Sequence, residues 1–474
     1  MDAGSDITIP AYIVDICKRL QEAGFKCYVV GGALRDQFLP GRPEPKEWDL
    51  ATSARPDDVR RLFPRTVPTG IAHGTVTVID GEGACEVTTF RQEGAYSDAR
   101  HPDSVEFRDS IEEDLARRDF TVNAMALDPV RGVLVDPHGG MDDLRDRLIR
   151  AVGNPAARFR EDGLRPLRAA RFVAVLGFRM ESDTFQAMEA AQKSFLMVSA
   201  ERKRDEIIKM MGAEKPSLGW EVLRKARYLK AVFPEMQKMP GVMQGGLHRY
   251  DVWNHSIMTC DFCGGGWPVR LAALLHDVGK PFTAAEEKPE AAAEGSAEGK
   301  GGDEPRMTFY RHEEVGAEIV DRWMERMKFS NDDARRVVRL IRHHMVLYSP
   351  EWTDAAVRRF IRRVGEDHLD DVMSLAEADV KARGVIEDSL SRLKELQTRV
   401  RQELKKEVAL SLKDLAVSGI DIMKALAMDP GPDVGKILRD LLEAVIENPS
   451  LNRRETLLEM AGEMRNPARG TGKG

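Results

Sequence analysis

The first 150 residues alternate short β-branched runs with amphipathic segments, a pattern typical of an α/β domain. The runs that predict strands are 26–30, 48–51, 75–80, 84–90 and 133–135. From about residue 151 the β signal disappears and apolar residues recur at helical spacing. The pattern therefore predicts an α/β head over residues 1–150, followed by an all-α region.

Composition divides the helical region further. We predict a helical neck at 151–215, a second helical domain at 216–385 and a C-terminal helical tail at 386–474. Residues 284–305, inside the second domain, are low in complexity and rich in Ala, Glu and Gly. Such a segment cannot bury enough apolar surface to fold, so it predicts a disordered insertion.

Overall composition is that of a large protein with several domains: 474 residues, 42% hydrophobic and 31% charged. A net charge of −7 argues mildly against a nucleic-acid partner. Residues 145–171, however, contain eight arginines and three acids, and local basic surface governs phosphate contact. No apolar run approaches the 18 residues of a membrane span. Five sparse cysteines favour a reducing, cytoplasmic location.

Two short motifs near residue 40 point to phosphate chemistry. Gly31 and Gly32 lie between a β-branched run and the segment ALRDQFL, which starts like a helix. Glycines at such a turn let backbone N–H groups approach an anion, and the helix dipole assists. Glu47 and Asp49 then alternate as strand neighbours on one face. Because paired carboxylates beside a phosphate cradle suit Mg²⁺-dependent transfer, we predict both as catalytic metal ligands.

A second group of candidate ligands lies in the helical half. The apolar segment RLAALLHDVGK contains adjacent His and Asp residues and resembles the signature of HD phosphohydrolases. Mixed imidazole and carboxylate ligands suit Mg²⁺, Mn²⁺, Ni²⁺ or Fe, so we predict a second divalent-metal site. The order H…HD…H…H…D is met by His255, His276, Asp277, His312, His343 or the adjacent His344, and Asp379, and we take His343 as the ligand.

The head resembles a known family. GGALRD (31–36) followed by EWDLATSA (47–54) is similar to the signature of class II tRNA nucleotidyltransferases and bacterial poly(A) polymerases, members of the DNA polymerase β-like superfamily. The family usually has Asp where this chain has Glu47, whose extra methylene moves the carboxylate oxygens. Further motifs follow in the family's order: EVTTFR (86–91), YSDARHPDSVEF (96–107), RRDFTVNAMA (117–126), DPHGGMDDLRDRLIR (136–150), EDGLRPLRAARF (161–172) and SAERKRDEI (199–207).

The resemblance implies a nucleotide site made from these motifs. The glycines and the arginines would contact triphosphate or primer phosphates, while Asp119 and Asn123 would hold the ribose or the local backbone. A helix cap is the alternative for Asn123. Glu86 is either a third acid near the metal or a solvent-facing strand residue. The predicted nucleotide-binding residues are Gly31, Gly32, Arg35, Asp36, Arg117, Arg118, Asp119, Asn123, Asp162, Arg165, Arg168 and Arg171.

Asp162 and Arg165 are spaced to share one helical face, with the helix starting near Gly163. Asp accepts hydrogen bonds and Arg donates them. On their Watson–Crick edges, cytosine and adenine both present an amino donor beside a ring-nitrogen acceptor, whereas uracil and guanine reverse that order. One Asp–Arg pair would therefore accept C and A and reject U and G. An ordinary surface ion pair is the alternative.

Together these patterns predict an enzyme that adds CCA to tRNA 3′ ends from CTP and ATP with Mg²⁺. The resemblance leaves poly(A) polymerase and a CC-adding or A-adding enzyme open, and it is compatible with a homodimer. A different class of function is an HD metallohydrolase with an RNA-binding head. Intact Asp49 and the segment EDGLR favour the polymerising enzyme.

Overall fold

The computed structural model describes residues 7–45, 47–70, 74–81, 83–93, 105–107, 109–245, 249–287, 306–384, 387–406 and 409–465. The chain divides into two compact units. Unit 1 comprises Met1–Gln237 with Arg326–Lys328, and unit 2 comprises Lys238–Glu325 with Phe329–Gly474. The predicted α/β head followed by helical regions is confirmed.

The predicted strands of the head are all present. Unit 1 contains β1 (Cys27–Val30), β2 (Trp48–Thr52), β3 (Thr66–Gly70), β4 (Thr75–Asp80), β5 (Gly83–Thr89), β6 (Arg91–Glu93), β7 (Val105–Phe107), β8 (Ala126–Asp128), β9 (Val133–Val135), β10 (Leu148–Ile149) and β11 (Arg179–Met180). Among the described residues, seven of these strands form a mixed sheet in the order β3-β4-β5-β2-β1-β8-β9.

The helices of unit 1 cover this sheet and continue into the neck. They are α1 (Ala11–Glu22), α2 (Gly31–Gln37), α3 (Pro56–Leu62), α4 (Ile111–Ala116), α5 (Gly140–Arg145), α6 (Pro155–Glu161), α7 (Arg165–Leu176), α8 (Ser182–Ala190), α9 (Gln192–Met197), α10 (Ala200–Met211), α11 (Pro216–Lys225) and α12 (Leu229–Val232). Helix α1 buries Ile13, Ile16 and Leu20 at the i, i+3, i+7 spacing of an amphipathic helix.

The sheet register brings the predicted acids near the glycine turn. Strand β2 pairs antiparallel with β1, so that Asp49 lies opposite Val30, the last residue before Gly31. On its other side β2 runs parallel to β5, and Asp49 lies opposite Glu86. Three backbone segments therefore converge at Asp49 in the middle of the sheet.

Asp162 lies in a turn between two helices. Helix α6 ends at Glu161, Asp162 has extended backbone angles, and α7 begins at Arg165 with Pro166 in its first turn. Proline is tolerated there because the first helical N–H groups have no intrahelical partner. The predicted start near Gly163 is thus close, but Asp162 itself is not helical.

Unit 2 is almost entirely helical in the part that is described. Its helices are α13 (Val252–Phe262), α14 (Trp267–Leu275), α15 (Lys280–Thr283), α16 (His312–Arg326), α17 (Asn331–Arg342), α18 (Asp354–Val364), α19 (Leu369–Arg383), α20 (Glu387–Leu404), α21 (Gly419–Leu426), α22 (Pro432–Glu447) and α23 (Arg454–Arg465). Helix α14 is apolar almost all round and packs against α13, α17 and α19.

The predicted disordered insertion at 284–305 is wrong at its start, where the chain forms a short strand. Residues 285–287 form strand β12 (Ala285–Glu287), which pairs antiparallel with β13 (Arg306–Thr308). The ladder satisfies backbone groups that a disordered segment would leave to water. Residues 288–305 lie outside the described residues. Of the helices that are described, none is long and apolar enough to cross a membrane.

The turn at Gly163 yields a stability prediction. Gly163→Ala would put a Cβ 2.3 Å from the carbonyl oxygen of Ser194, a backbone atom that cannot rotate away. We expect the substitution to lower the free energy of unfolding of unit 1 by about 1–3 kcal/mol. Differential scanning calorimetry measures the shift. Gly81→Ala is the control, because nothing lies within 4 Å of its Cβ position. Equal melting of both variants would contradict the close approach.

Candidate active site and metal centre

A cavity of about 940 Å³ in unit 1 collects the predicted nucleotide site. Every predicted catalytic or nucleotide-binding residue of the head and neck lines it, except Glu47 and Asp36. Glu86, Arg91, Asp114 and Arg202 line it as well. Five acids and eight arginines therefore face one space, which gives the described wall an excess of positive charge.

Asp49 lies half-buried against the glycine turn. Gly31 has a φ of +79°, and a Cβ there would approach Asp49 Oδ2 to 2.9 Å, so only glycine fits. Burial raises the pKa of Asp49, the carboxylates of Glu86 and Glu47 raise it further, and Arg118 opposes them. A carboxylate whose charge is disfavoured by neighbouring acids is stabilised by a cation, and its hard oxygens suit Mg²⁺. The residues present therefore fit the metal.

Glu47 lies just outside strand β2 and not within it as predicted, although its carboxylate still raises the pKa of Asp49, so its role as a metal ligand stays a prediction. Strand β2 begins at Trp48, so Glu47 precedes it, is exposed and does not line the cavity. The alternation argument holds only inside a strand, where the pleat fixes side-chain direction. Glu86, across the parallel pair from Asp49, lines the cavity instead.

A buried network joins the head to the neck. Arg168 donates to Asp119 Oδ2 through Nη2 at 2.6 Å and through Nε at 2.9 Å. Asn123 donates to Asp119 and accepts from Arg35 at 2.8 Å. Although burial alone would raise it, Arg168 lowers the pKa of Asp119 to about 2. Asp119 and Asn123 are thus engaged with protein groups, and Arg35 also contacts Asp36.

Asp162 and Arg165 face the same cavity but do not pair through their side chains. Asp162 Oδ2 accepts from Arg202 at 2.8 Å, and its Oδ1 accepts from the Leu164 N–H. Arg165 donates to the carbonyl oxygens of Arg117 and Arg158 and to Glu161. Arg165 is nearly fully buried. Backbone carbonyls therefore fix the direction of its guanidinium.

Two buried acids near this site, Asp114 and Glu206, were not predicted from the sequence. Asp114 contacts Arg117 at 2.9 Å and Arg118 at 3.3 Å, a spacing of three and four residues that a helix prediction around 111–116 would have revealed. Glu206 contacts Arg171 at 2.6 Å and Arg168 at 3.4 Å. No local pattern links Glu206 to α7.

The predicted histidines and aspartates of unit 2 converge. His255 Nε2 lies 2.9 Å from Asp379 Oδ1, and His276 Nε2 lies 3.1 Å from Asp277 Oδ2. His312 Nε2 lies 3.3 Å from Asp277 Oδ1. His276 and His312 each donate from Nδ1 to a backbone carbonyl at 2.8 Å. A carbonyl can only accept, so Nε2 is left to point into the cluster, as in metal-binding histidines.

The adjacent histidines need a correction: His344, not His343, joins this cluster. His344 Nε2 lies 3.3 Å from His312 Nε2, and its Nδ1 is held by the Ile341 carbonyl. His343 is half-buried, and burial together with Arg363, Arg339 and Arg342 lowers its pKa to about 4. Sequence could not separate the two, because helix α17 ends at Arg342 and the following backbone sets both directions.

The cluster offers two ligand sets that share one carboxylate. His255, His276 and Asp277 form one set, and Asp277, His312 and His344 form the other. A cavity of about 330 Å³ opens onto this cluster, lined also by Lys280, Arg383 and the apolar wall of Met345 to Tyr348. Imidazole and carboxylate donors suit first-row divalent metals.

Three family models match successive parts of the chain. A family model described as "Poly A polymerase head domain" matches residues 27–150. One described as "Probable RNA and SrmB- binding site of polymerase A" matches residues 177–239. A third, "tRNA nucleotidyltransferase domain 2 putative", matches residues 312–461.

Several relatives are similar over long stretches. The Lactobacillus helveticus CCA-adding enzyme is 44% identical over 210 residues, which cover 44% of this chain and 51% of that protein, about half its length. The Streptococcus gordonii CCA-adding enzyme is 32% identical over 442 residues, which cover 93% of this chain and 94% of that protein. The crystal structure of the Bacillus stearothermophilus CCA-adding enzyme in complex with CTP is similar with a TM-score of 0.70 and 27% identity, covering 96% and 97% of the two chains. The chain therefore belongs to the CCA-adding enzymes, a family of nucleotidyltransferases.

Proposed function

We propose that the protein adds C, C and A in turn to tRNA 3′ ends, using CTP and ATP and no nucleic-acid template. In each step the primer 3′-oxygen would bond to the α-phosphorus, the bond to the β-phosphate oxygen would break, and pyrophosphate would leave. The hydroxyl proton would go to solvent. When bound, Mg²⁺ would supply charge neutralisation for the triphosphate and the attacking oxygen.

The observation that carries this proposal is the composition of the unit 1 cavity. Its eight arginines and five acids favour a polyanion, while Asp49 and Glu86 offer hard oxygens at one edge. Gly31 leaves Asp49 close to the backbone, where a side chain would collide with it. Arg118 lies within 3.8 Å of the same point. Positive side chains and a candidate metal-binding carboxylate thus lie close together, which supports the binding of a triphosphate there.

Base selection is proposed to depend on Asp162 and Arg165. Arg165 has five N–H donors, of which its protein partners use three, so a donor on Nη2 and the one on Nε are left for a base. Each carboxylate oxygen of Asp162 can accept a second hydrogen bond. The pair can therefore present an acceptor and a donor together, the pattern that matches C and A.

The experiment that tests this function is single-nucleotide extension. The pure protein is incubated with tRNA ending at the discriminator base, in C or in CC, with one labelled nucleotide at a time. Stepwise addition of CTP, CTP and ATP supports full CCA addition. Addition of long A tracts would indicate a poly(A) polymerase, and addition of C alone or A alone would indicate a partial enzyme.

Asp49→Asn should reduce nucleotide addition by about 10²–10³-fold or more, because the amide no longer binds the metal as an anion. Since the folded-state pKa of Asp49 is raised, its ionised form costs stability at neutral pH. In EDTA at pH 7 the variant should therefore melt no lower than wild type. Any difference in melting temperature between the variant and wild type should vanish below pH about 4, the ordinary Asp pKa, because Asp49 is then protonated in both the folded and the unfolded state. Steady-state rates and calorimetry measure the two effects.

Variants of Glu47 serve as the comparison, because this residue is exposed outside the cavity. Glu47→Asp should keep or raise the addition rate. If Glu47→Ala is harmless while Glu86→Gln is not, the second ligand is Glu86. Normal addition by Asp49→Asn would exclude Asp49 as the metal ligand.

Arg165→Ala should lower discrimination against UTP and GTP by about tenfold or more, because the donor to the ring nitrogen is lost. CTP and ATP use should weaken by similar amounts, since one pair is proposed to read both bases. Competition assays with all four nucleotides measure the ratios. Arg160→Ala is a control on exposed α6 surface outside the cavity. A loss confined to CTP would refute a shared reader for C and A.

We propose a second activity, metal-dependent phosphoester hydrolysis, at the unit 2 cluster. The observation that favours it is the sharing of Asp277 by two ligand sets, since paired metals clamp the attacking and leaving oxygens of a phosphoester. Lys280, which donates to Asp277 at 2.7 Å, adds positive charge at the cavity wall.

His276→Ala should abolish Mn²⁺- or Ni²⁺-dependent hydrolysis of bis-p-nitrophenyl phosphate and lower the bound-metal stoichiometry. CTP incorporation into tRNA should stay near wild type, because the two sites use separate side chains. His343→Ala is the matched control, one residue from the ligand His344 and outside the cluster. Metal binding that survives His276→Ala, or that depends equally on His343, would show the ligand set to be wrong.

A further inference from the structure

Helices α17 and α18 of unit 2 carry eight arginines, and most of them are neutralised. Arg358 is buried against Glu403, and Arg336 contacts Asp371 at 2.7 Å. The remaining paired arginines are Arg335 with Asp332, Arg359 with Glu447, and Arg362 with Glu443. Among the described residues, Arg339, Arg342 and Arg363 form no ion pair with a carboxylate.

These three arginines lie together. Arg339 and Arg342 are three residues apart on one face of α17, and both are exposed. Arg339 Nη1 donates to the carbonyl oxygen of Val364 at 3.2 Å, which ties α17 to the end of α18 beside exposed Arg363. We call Arg339, Arg342 and Arg363 the arginine patch.

We propose that the arginine patch is a docking surface for the sugar-phosphate backbone of RNA. The proposal rests on the proposed function, which makes tRNA the substrate, and it adds a contact in unit 2 outside both described cavities. Three neighbouring cations without counter-ions repel one another, so an anion with several charges along its length stabilises them together. A phosphodiester backbone offers such charges, and guanidinium groups bind phosphate oxygens in a bidentate way.

The surroundings favour RNA over an acidic protein segment. The neighbouring arginines of both helices already have carboxylate partners, which shows that protein acids are used where they are available in this fold. The patch side chains are exposed at the ends of the two helices, where backbone phosphates can reach them without desolvating an apolar face. Phosphate contacts of this kind position a nucleic acid without reading its sequence.

The test combines binding and turnover on the full-length protein. Fluorescence anisotropy measures Kd for a tRNA ending at the discriminator base, without nucleotide, over a range of salt concentrations. We expect the double variant Arg342→Gln with Arg363→Gln to raise Kd at least about tenfold at 0.1 M salt and to flatten the slope of log Kd against log salt by about 1.5–2. The KM for tRNA should rise in step, while kcat for CTP addition at saturating tRNA should stay unchanged.

Arg335→Gln is the matched control, an exposed arginine on α17 that already has Asp332 as its partner. It should leave Kd and the salt slope as in wild type. The proposal is overturned if the double variant binds tRNA like wild type, if Arg335→Gln weakens binding equally, or if an acidic peptide but not tRNA depends on the patch. If wild type binds tRNA through the patch yet incorporates no CTP, the patch stands and the proposed nucleotide addition falls.

Discussion

The ion pair between buried Asp119 and half-buried Arg168 is the interaction on which unit 1 depends most. Asp119 belongs to the head, where its carbonyl oxygen accepts from the Val152 N–H at 3.1 Å, and Arg168 belongs to neck helix α7. A buried charge is tolerated only when it is paired and hydrogen-bonded. Each residue therefore compensates the charge of the other. The pair also connects the start of α7 to the segment that contains Arg117 and Arg118. Losing one partner would remove the main opposite charge of the other beside the unit 1 cavity.

Glu206 pairs with the arginines around it in the same way as Asp119 pairs with Arg168. Arg168 and Arg171 lie within one turn of α7 and both contact Glu206, while Phe172 supports the Arg171 guanidinium from below at 4.1 Å. Asp119 and Glu206 together offset the charges of Arg168 and Arg171. The other arginines of the cavity lining still outnumber its other acids, so the described wall keeps an excess of positive charge.

The sequence predicted the features that depend on neighbouring residues and missed those that depend on residues far apart in the chain. Strand periodicity located β1, β2, β4, β5 and β9, because alternation is a local property. The assumption that Glu47 alternates with Asp49 inside β2 was wrong, because this strand begins one residue later, at Trp48. The order of histidines predicted the unit 2 cluster, but the choice between His343 and His344 depended on the backbone after α17. Glu206 was missed because its partners on α7 are more than thirty residues away, beyond any periodic pattern.

The rigidity of Arg165 bears directly on selection without a nucleic-acid template. Its guanidinium is held by two backbone carbonyls and by Glu161, and Asp162 is held by Arg202 and by a backbone N–H. Groups fixed in this way cannot turn to satisfy a base with the opposite hydrogen-bonding order. A wrong base would then leave buried polar groups unpaired, which is a strong source of discrimination in a binding site. For the proposed Asp162–Arg165 reader, the same rigidity would suit both C and A, because both bases present the amino donor and the ring nitrogen in the same order.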